Sequence, residues 1–165
     1  INHLKRYSKE KNIKLAVLGC VTEDWQNEKN FYDRILGKNY QFIKNSLDRN
    51  TYSLIDKFEI LTGIDSTLVY ENFGRGNKTA FFSYRSMKYP FDSRKFAWPA
   101  KVEINNKFCT SKKDYTSFKK VINFVFKCKR SQWQIIYKKY FRNLMFYDFK
   151  NKKIKLLIKK ILKEI

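Results

Sequence analysis

Short apolar runs alternate with helical patterns through the first half of the chain, at a spacing of about 20 residues. Each run is apolar and partly β-branched, as buried strands are, and each helical stretch repeats apolar residues at three- and four-residue intervals. Strands that are joined through helices by short connections run parallel. The sequence therefore predicts an α/β fold with a Rossmann-like, doubly wound parallel sheet. The predicted strands are 13–19, 40–43, 58–64 and 78–84, and the helices between them are 23–36, 48–57 and 66–74.

The second half of the chain has a different pattern. Residues 86–113 are irregular, and a loop of this length inside a compact domain is usually functional or disordered. Helical patterns follow at 114–128, 130–147 and 150–164. We therefore expect an α/β domain over 1–128 and basic amphipathic helices over 129–165.

Histidine and cysteine are too few and too scattered for several kinds of active site. His3 is the only histidine, and the three cysteines, Cys20, Cys109 and Cys128, are far apart in the sequence. A Ser-His-Asp triad, a Cys-His pair, a histidine zinc site and a disulfide framework are therefore not expected. We therefore also predict no metal site. Because no apolar run reaches the length of a membrane span, we expect a reducing, cytoplasmic location.

The positive charge of the chain is large and unevenly placed. The formal net charge is +21, and 22 of the 36 basic residues lie beyond residue 85. Such a charge suggests a nucleic-acid-binding module. However, 28 of the basic residues are lysines and only 8 are arginines, which is typical of an A+T-rich genome and not of an interface that reads bases. Nucleic-acid binding is therefore an alternative and not the leading prediction.

The most informative segment is the start of the helix at 66–74. Asp65, Ser66 and Thr67 follow a predicted buried strand, so the free backbone N–H groups and the hydroxyls there could bind an anion such as phosphate. Glu71 follows about one helical turn later, and its carboxylate could accept hydrogen bonds from sugar hydroxyls. The alternative is purely structural: the first three residues cap the helix, and Glu71 is a solvated side chain.

Several segments resemble the bacterial surface carbohydrate biosynthesis proteins over about residues 13–125. The longest reads Ile64-Asp65-Ser66-Thr67-Leu68-x-Tyr70-Glu71-x-x-x-Arg75-Gly76-x-Lys78-Thr79-Ala80-Phe81-Phe82-Ser83-x-Arg85. The shorter ones are Glu28-Lys29-x-Phe31-Tyr32-x-x-Ile35-Leu36-Gly37, Tyr40-x-Phe42-Ile43, Tyr52-x-Leu54-Ile55-Asp56 and Phe96-Ala97-Trp98-Pro99. Three positions depart from the family pattern: Val69 and Ala97 replace glycine, and Asn72 replaces alanine.

The resemblance implies the donor-binding half of a GT-B-type glycosyltransferase, with a nucleotide-sugar as co-substrate and no bound metal. In that case 1–128 is the nucleotide-sugar-binding domain. The Ser66–Thr67 helix start, with Asp65, would meet the diphosphate, and Glu71 would meet the ribose. Arg85 would neutralise the charge of the leaving nucleotide, with a surface ion pair as the alternative. Gly19 would let the backbone approach the ligand, with an ordinary turn as the alternative. The catalytic residues stay unassigned, because the acceptor site and the base would lie on an N-terminal domain that we expect to precede this chain. A related transferase that uses a nucleotide-activated polyol is the alternative.

The last helical segment, 150–165, has a continuous apolar stripe surrounded by lysines. Such a helix can lie in a membrane interface, with its lysines toward anionic headgroups. The alternative is an ordinary amphipathic helix that packs on the sheet or on the missing domain. The membrane interpretation would place the protein at the inner face of the cell membrane, as a transferase or as a peripheral module without catalysis.

Overall fold

Strands and helices alternate along the structure, a computed structural model that describes residues 1–20, 23–45, 51–85, 88 and 95–162. The strands within these ranges are β1 (Leu15–Leu18), β2 (Tyr40–Ile43), β3 (Leu61–Ile64), β4 (Thr79–Phe82) and β5 (Cys109–Thr110). The helices are α1 (Asn2–Lys11), α2 (Trp25–Leu36), α3 (Thr51–Ile55), α4 (Thr67–Gly74), α5 (Tyr115–Lys127), α6 (Arg130–Leu144) and α7 (Lys152–Ile161), with a 3₁₀ turn at Phe149–Asn151.

All strand pairs are parallel, as predicted, but the strands form two sheets. β1 pairs with β2, whereas β3, β4 and β5 form a separate sheet in that order. The expectation of one continuous, doubly wound sheet is therefore replaced by a mixed α/β arrangement with parallel sheets. The burial of the strands explains the difference, because strands inside a doubly wound sheet are buried on both faces. β4 and the two-residue β5 are buried along their whole length, whereas every residue of β1 is only partly buried.

The element boundaries follow the predicted ones closely where the local pattern is strong. β2 has the predicted bounds, and α2 ends before Gly37, whose φ of 76° is in the left-handed region that favours glycine. β5 lies in the stretch predicted to be irregular. It has only two residues, so it carries no periodicity from which a strand could be predicted. Predicted helical residues 48–50 and most of the loop at 86–94 lie outside the described residues.

Helices cover both faces of the three-stranded sheet. On one face, Phe81 of β4 packs against Phe73 of α4, with ring centroids 5.8 Å apart. On the other face, Phe82 stacks on Phe118 of α5 at 4.8 Å. The alternation of side chains along a strand sends these neighbouring phenylalanines to opposite sides. The carboxyl ends of β3 and β4 are thus held between two packed layers of helices.

The aromatic residues of α6 belong to this core. Trp133 is fully buried, and its indole N–H donates to the Gly76 carbonyl at 3.1 Å. The Tyr137 hydroxyl donates to the Gly74 carbonyl at 2.9 Å. The α6 aromatics therefore close the end of α4.

The last helix, α7, contributes nothing to the core. All of its residues are exposed, including those of the apolar stripe. Of the two alternatives to the membrane interpretation, packing on the sheet is therefore not observed in the part of the chain that the structure describes, and packing on a further domain stays a prediction. Among the described residues, no helix is long and apolar enough to cross a membrane.

Candidate functional site

The carboxyl ends of β3 and β4 are tied together by Asp65. Because Ile64 lies beside Phe82 in the parallel register, the next residues, Asp65 and Ser83, lie side by side. The Ser83 hydroxyl donates to Asp65 Oδ1 at 2.7 Å, and the backbone N–H of Arg85 donates to Asp65 Oδ2 at 3.1 Å. Asp65 therefore links the segment that follows β3 to the segment that follows β4.

The Arg85 side chain lies across the same edge of the sheet. Its Nη2 donates to the Ile64 carbonyl at 3.1 Å, and its Nε is 3.5 Å from Asp65 Oδ2. The side chain is nevertheless 60% exposed. The guanidinium is therefore held in place by an ion pair and remains accessible from solvent.

The start of α4 lies next to this pair. Ser66 is the N-cap residue, in an extended conformation, and its side chain makes no capping hydrogen bond. Asp65, with a φ of 47°, turns its carboxylate toward β4 instead of capping the helix. The first N–H groups of a helix lack partners within the helix. The Ser66 hydroxyl and the N–H groups after it are therefore candidate anion donors.

Glu71 lies on another side of α4, in contact with α3. Its carboxylate interacts with the Tyr52 hydroxyl; desolvation and this neighbouring carboxylate together raise the pKa of Tyr52. The guanidinium of Arg75 forms an ion pair with Asp56 and lies 5.2 Å from the centre of the Tyr52 ring. The structure therefore gives Glu71 a neighbour in α3, and no described contact joins it to Asp65 or Arg85.

Gly19, at the end of β1, is buried against side chains. A Cβ at this position would lie 2.7 Å from Phe42 Cζ and 2.9 Å from Glu28 Oε2. The same Glu28 carboxylate accepts the backbone N–H of Cys20 at 2.9 Å. The close approach that Gly19 permits is thus to Phe42 and Glu28.

The three departures from the family pattern all lie at positions where the structure accommodates them. Val69 packs on the Gly63 backbone, which has no side chain in its way. Asn72 is buried, and its Nδ2 donates to Thr79 Oγ1 at 2.9 Å. Ala97 has a φ of 63°, which explains the glycine expected there, and its N–H donates to the Tyr70 hydroxyl at 3.2 Å.

A groove of about 530 Å³ lies between α2 and β2, at the amino end of that strand. Three of its polar side chains interact with one another: Lys29 pairs with Asp33 at 2.6 Å, and the Tyr40 hydroxyl donates to Asp33 at 2.8 Å. Desolvation and the hydrogen bond to Asp33 raise the pKa of Tyr40 to about 12. The described residues contain no group of His, Cys, Asp and Glu that could hold a metal.

Two polar residues were not predicted as site residues from the sequence: Ser83, which follows β4, and Glu28 of α2, which contacts the end of β1. A signal for Ser83 was present, because it follows β4 as Asp65 follows β3, and parallel neighbours bring such residues together. Glu28 gave no comparable signal, since its contact with Cys20 depends on how α2 packs on β1. The edge formed by Asp65, Ser66, Ser83 and Arg85 is the candidate anion site.

Comparison with known proteins identifies one family. The model of a family described as "putative O-antigen biosynthesis protein" matches residues 1–162. Neither the curated proteins nor the solved structures give a match.

Proposed function

The chain belongs to the family of putative O-antigen biosynthesis proteins, and within that role we propose that it binds the nucleotide-sugar donor of a glycosyl transfer. The family supports a role in the biosynthesis of a surface polysaccharide, as the sequence resemblance suggested. Polysaccharides are assembled from activated sugars, and the commonest activating group is a nucleoside diphosphate. The proposal assigns the diphosphate to the edge where β3 and β4 end, in the donor-binding half of a GT-B-type enzyme.

The observation that carries the proposal is the exposed guanidinium of Arg85 next to the start of α4. Arginine presents five N–H donors in a planar fork that matches phosphate oxygens, and the contacts with Ile64 and Asp65 engage its Nε and Nη2 edge. The N-terminus of α4, at Ser66 and Thr67, adds backbone donors and a partial positive charge. A pyrophosphate that bridges the two would be bound without a metal.

Asp65 contributes to this site as a positioning residue. Its carboxylate already accepts from Ser83 and from the Arg85 backbone, so its negative charge is partly compensated. It therefore orients the guanidinium, and the ligand would contact Arg85 instead of Asp65. Preorganised cations of this kind stabilise the charge that develops on a leaving nucleoside diphosphate.

Glu71 and Gly19 have weaker support than the other predicted site residues. Glu71 would reach a ribose only by leaving the Tyr52 hydroxyl. Gly19 is already packed against Phe42 and Glu28. The ribose contact of Glu71 remains part of the proposal, because a carboxylate one turn from the helix start can accept two sugar hydroxyls.

The test is thermal unfolding of the protein with UDP, GDP, CDP and TDP and their sugars, in buffer with a chelator. At a ligand concentration of about 100 times Kd, binding stabilises the fold by about 2.7 kcal/mol, which raises Tm by roughly 5–10 °C. We expect Arg85→Gln to weaken binding at least tenfold, and the double variant Ser66→Ala/Glu71→Ala to abolish the shift.

The matched control is Arg130→Gln, which removes the same charge from an exposed arginine at the start of α6. It should bind the ligand as the unaltered protein does. If no nucleotide or nucleotide-sugar shifts Tm, or if both arginine variants lose affinity equally, the donor site is not at this edge. A response to nucleotide-activated polyols alone would favour the polyol-phosphate transferase.

A further inference from the structure

The apolar stripe of α7 is open to solvent. Ile154, Leu157, Ile158 and Ile161 follow the spacing of one helical face, and their exposed fractions run from 48% to 59%. Exposed apolar residues in isolation are ordinary on a protein surface, whereas a continuous stripe marks an interaction site.

The chain just before α7 is fixed to the body of the protein. A Cβ at Gly74, the last residue of α4, would lie 2.8 Å from Met145 Cγ, so the two segments are in close contact. The guanidinium of Arg75 lies 5.3 Å from the centre of the Tyr147 ring. A left-handed turn at Lys150 and Asn151 then leads into α7. The helix is therefore tethered at its start, while its apolar stripe stays uncovered by the described residues.

The charge of α7 indicates what covers the stripe. Residues 152–162 include Lys152, Lys153, Lys155, Lys159 and Lys160 and no acidic residue. A second copy of the chain would bring ten lysines around one apolar seam, and like charges at such positions destabilise helix pairs. An anionic lipid surface offers hydrocarbon for the stripe and negative charge for the lysines at the same time.

We propose that α7 lies in the headgroup region of an anionic bilayer, with its apolar stripe toward the acyl chains. Ten helical residues measure about 15 Å, half the thickness of the hydrocarbon core, so the helix would lie along the surface and not cross it. Phe146 is 41% exposed, and the centre of its ring lies 4.1 Å from Lys153 Nζ. This residue would extend the lipid contact to the start of the helix.

The experiment is flotation of the whole chain with phosphatidylcholine vesicles, with and without a minority of phosphatidylglycerol. We expect binding to the anionic vesicles only, weakened by salt. Leu157→Ser should reduce the partition coefficient at least tenfold, since it removes a buried leucine from the lipid. Its matched control is Ile135→Ser, an exposed isoleucine of α6, which should leave binding within twofold.

A second pair tests the lysines. Lys159→Gln should weaken binding about fivefold, whereas Lys138→Gln on α6 should have less than half that effect. Because α7 is exposed, the variants should unfold at the same temperature as the unaltered protein.

Three results would overturn the proposal. One is the absence of binding to anionic vesicles at low salt. Another is binding that Leu157→Ser leaves intact, which would mean attraction by net charge alone. The third is self-association in the absence of lipid that Leu157→Ser abolishes, which would assign the stripe to a second copy. None of these depends on nucleotide binding, so the two proposals can fail separately.

Discussion

The Cγ2 methyl of Val69 lies 2.6 Å from the point where a Cβ on Gly63 would stand. Val69 occupies α4 at a position where the family pattern has glycine, and Gly63 lies in β3, directly beneath it. The valine therefore fits because the strand residue it packs on has no side chain. This contact sets the distance between β3 and α4, and hence where the start of α4 stands relative to the edge of the sheet.

Gly63→Ala should lower the free energy of unfolding by about 1–3 kcal/mol, because the new methyl would overlap Val69. The double variant Gly63→Ala/Val69→Ala should be more stable than the sum of the two single changes by at least about 1 kcal/mol. Urea denaturation of the four proteins measures this coupling. Additive losses would mean that α4 moves away from β3 freely.

Ser83→Ala should lower the free energy of unfolding by about 1–2 kcal/mol, because the buried Asp65–Ser83 hydrogen bond is lost and the carboxylate loses one partner. Nucleotide affinity should fall less than in Arg85→Gln, since the Arg85 backbone still holds Asp65. Urea denaturation and the thermal-shift titration measure the two effects. A loss of affinity with unchanged stability would instead place Ser83 in contact with the ligand.

Ala97→Gly should leave the free energy of unfolding within about 0.5 kcal/mol of its original value. The left-handed backbone of Ala97 costs a residue with a side chain about 1–2 kcal/mol, which offsets the lost methyl packing and the greater chain entropy of glycine. Ala80→Gly is the matched control: it removes a buried methyl from β4, where no such relief is available, and should cost about 1–2 kcal/mol. Equal losses at both positions would contradict this explanation.

Glu10 joins α1 to α5 through a pH-dependent ion pair. Its hydrogen bonds with Lys119, 2.7 Å away, and with Arg6 lower the pKa of Glu10 to about 2. A carboxyl whose pKa is lower when folded stabilises the fold above its unfolded pKa of about 4.3, and this stabilisation disappears as the pH falls through the folded value.

Glu10→Gln should therefore lower Tm near pH 7, and the difference from the unaltered protein should vanish toward pH 2. Glu103→Gln, which removes the same charge from an exposed residue of the loop before β5, serves as the control. Thermal unfolding followed by circular dichroism across this pH range provides the measurement. A difference that persists at pH 2 would point to a packing effect of Glu10 instead of its charge.

The sequence by itself determined the elements whose signals are local. Apolar runs and helical periodicity located β1 to β4 and the helices between them, and the short connections determined that the strands run parallel. The same signals brought Asp65, Ser66 and Arg85 to one edge of a sheet, because the carboxyl ends of parallel neighbours share that edge.

Tertiary structure alone decided what depends on contacts between distant segments. The division into two sheets, the two-residue β5 that pairs with β4, and the partners of Asp65 all require residues far apart in sequence to meet. The contact of Glu71 with Tyr52 depends on how α4 is rotated against α3. Helical periodicity does not determine this rotation, because α4 has several partly buried faces. The exposure of α7 also depends on tertiary structure. An apolar stripe in the sequence indicates an interaction surface but does not identify the partner. In the structure the packed core ends at α6, so the stripe stays exposed.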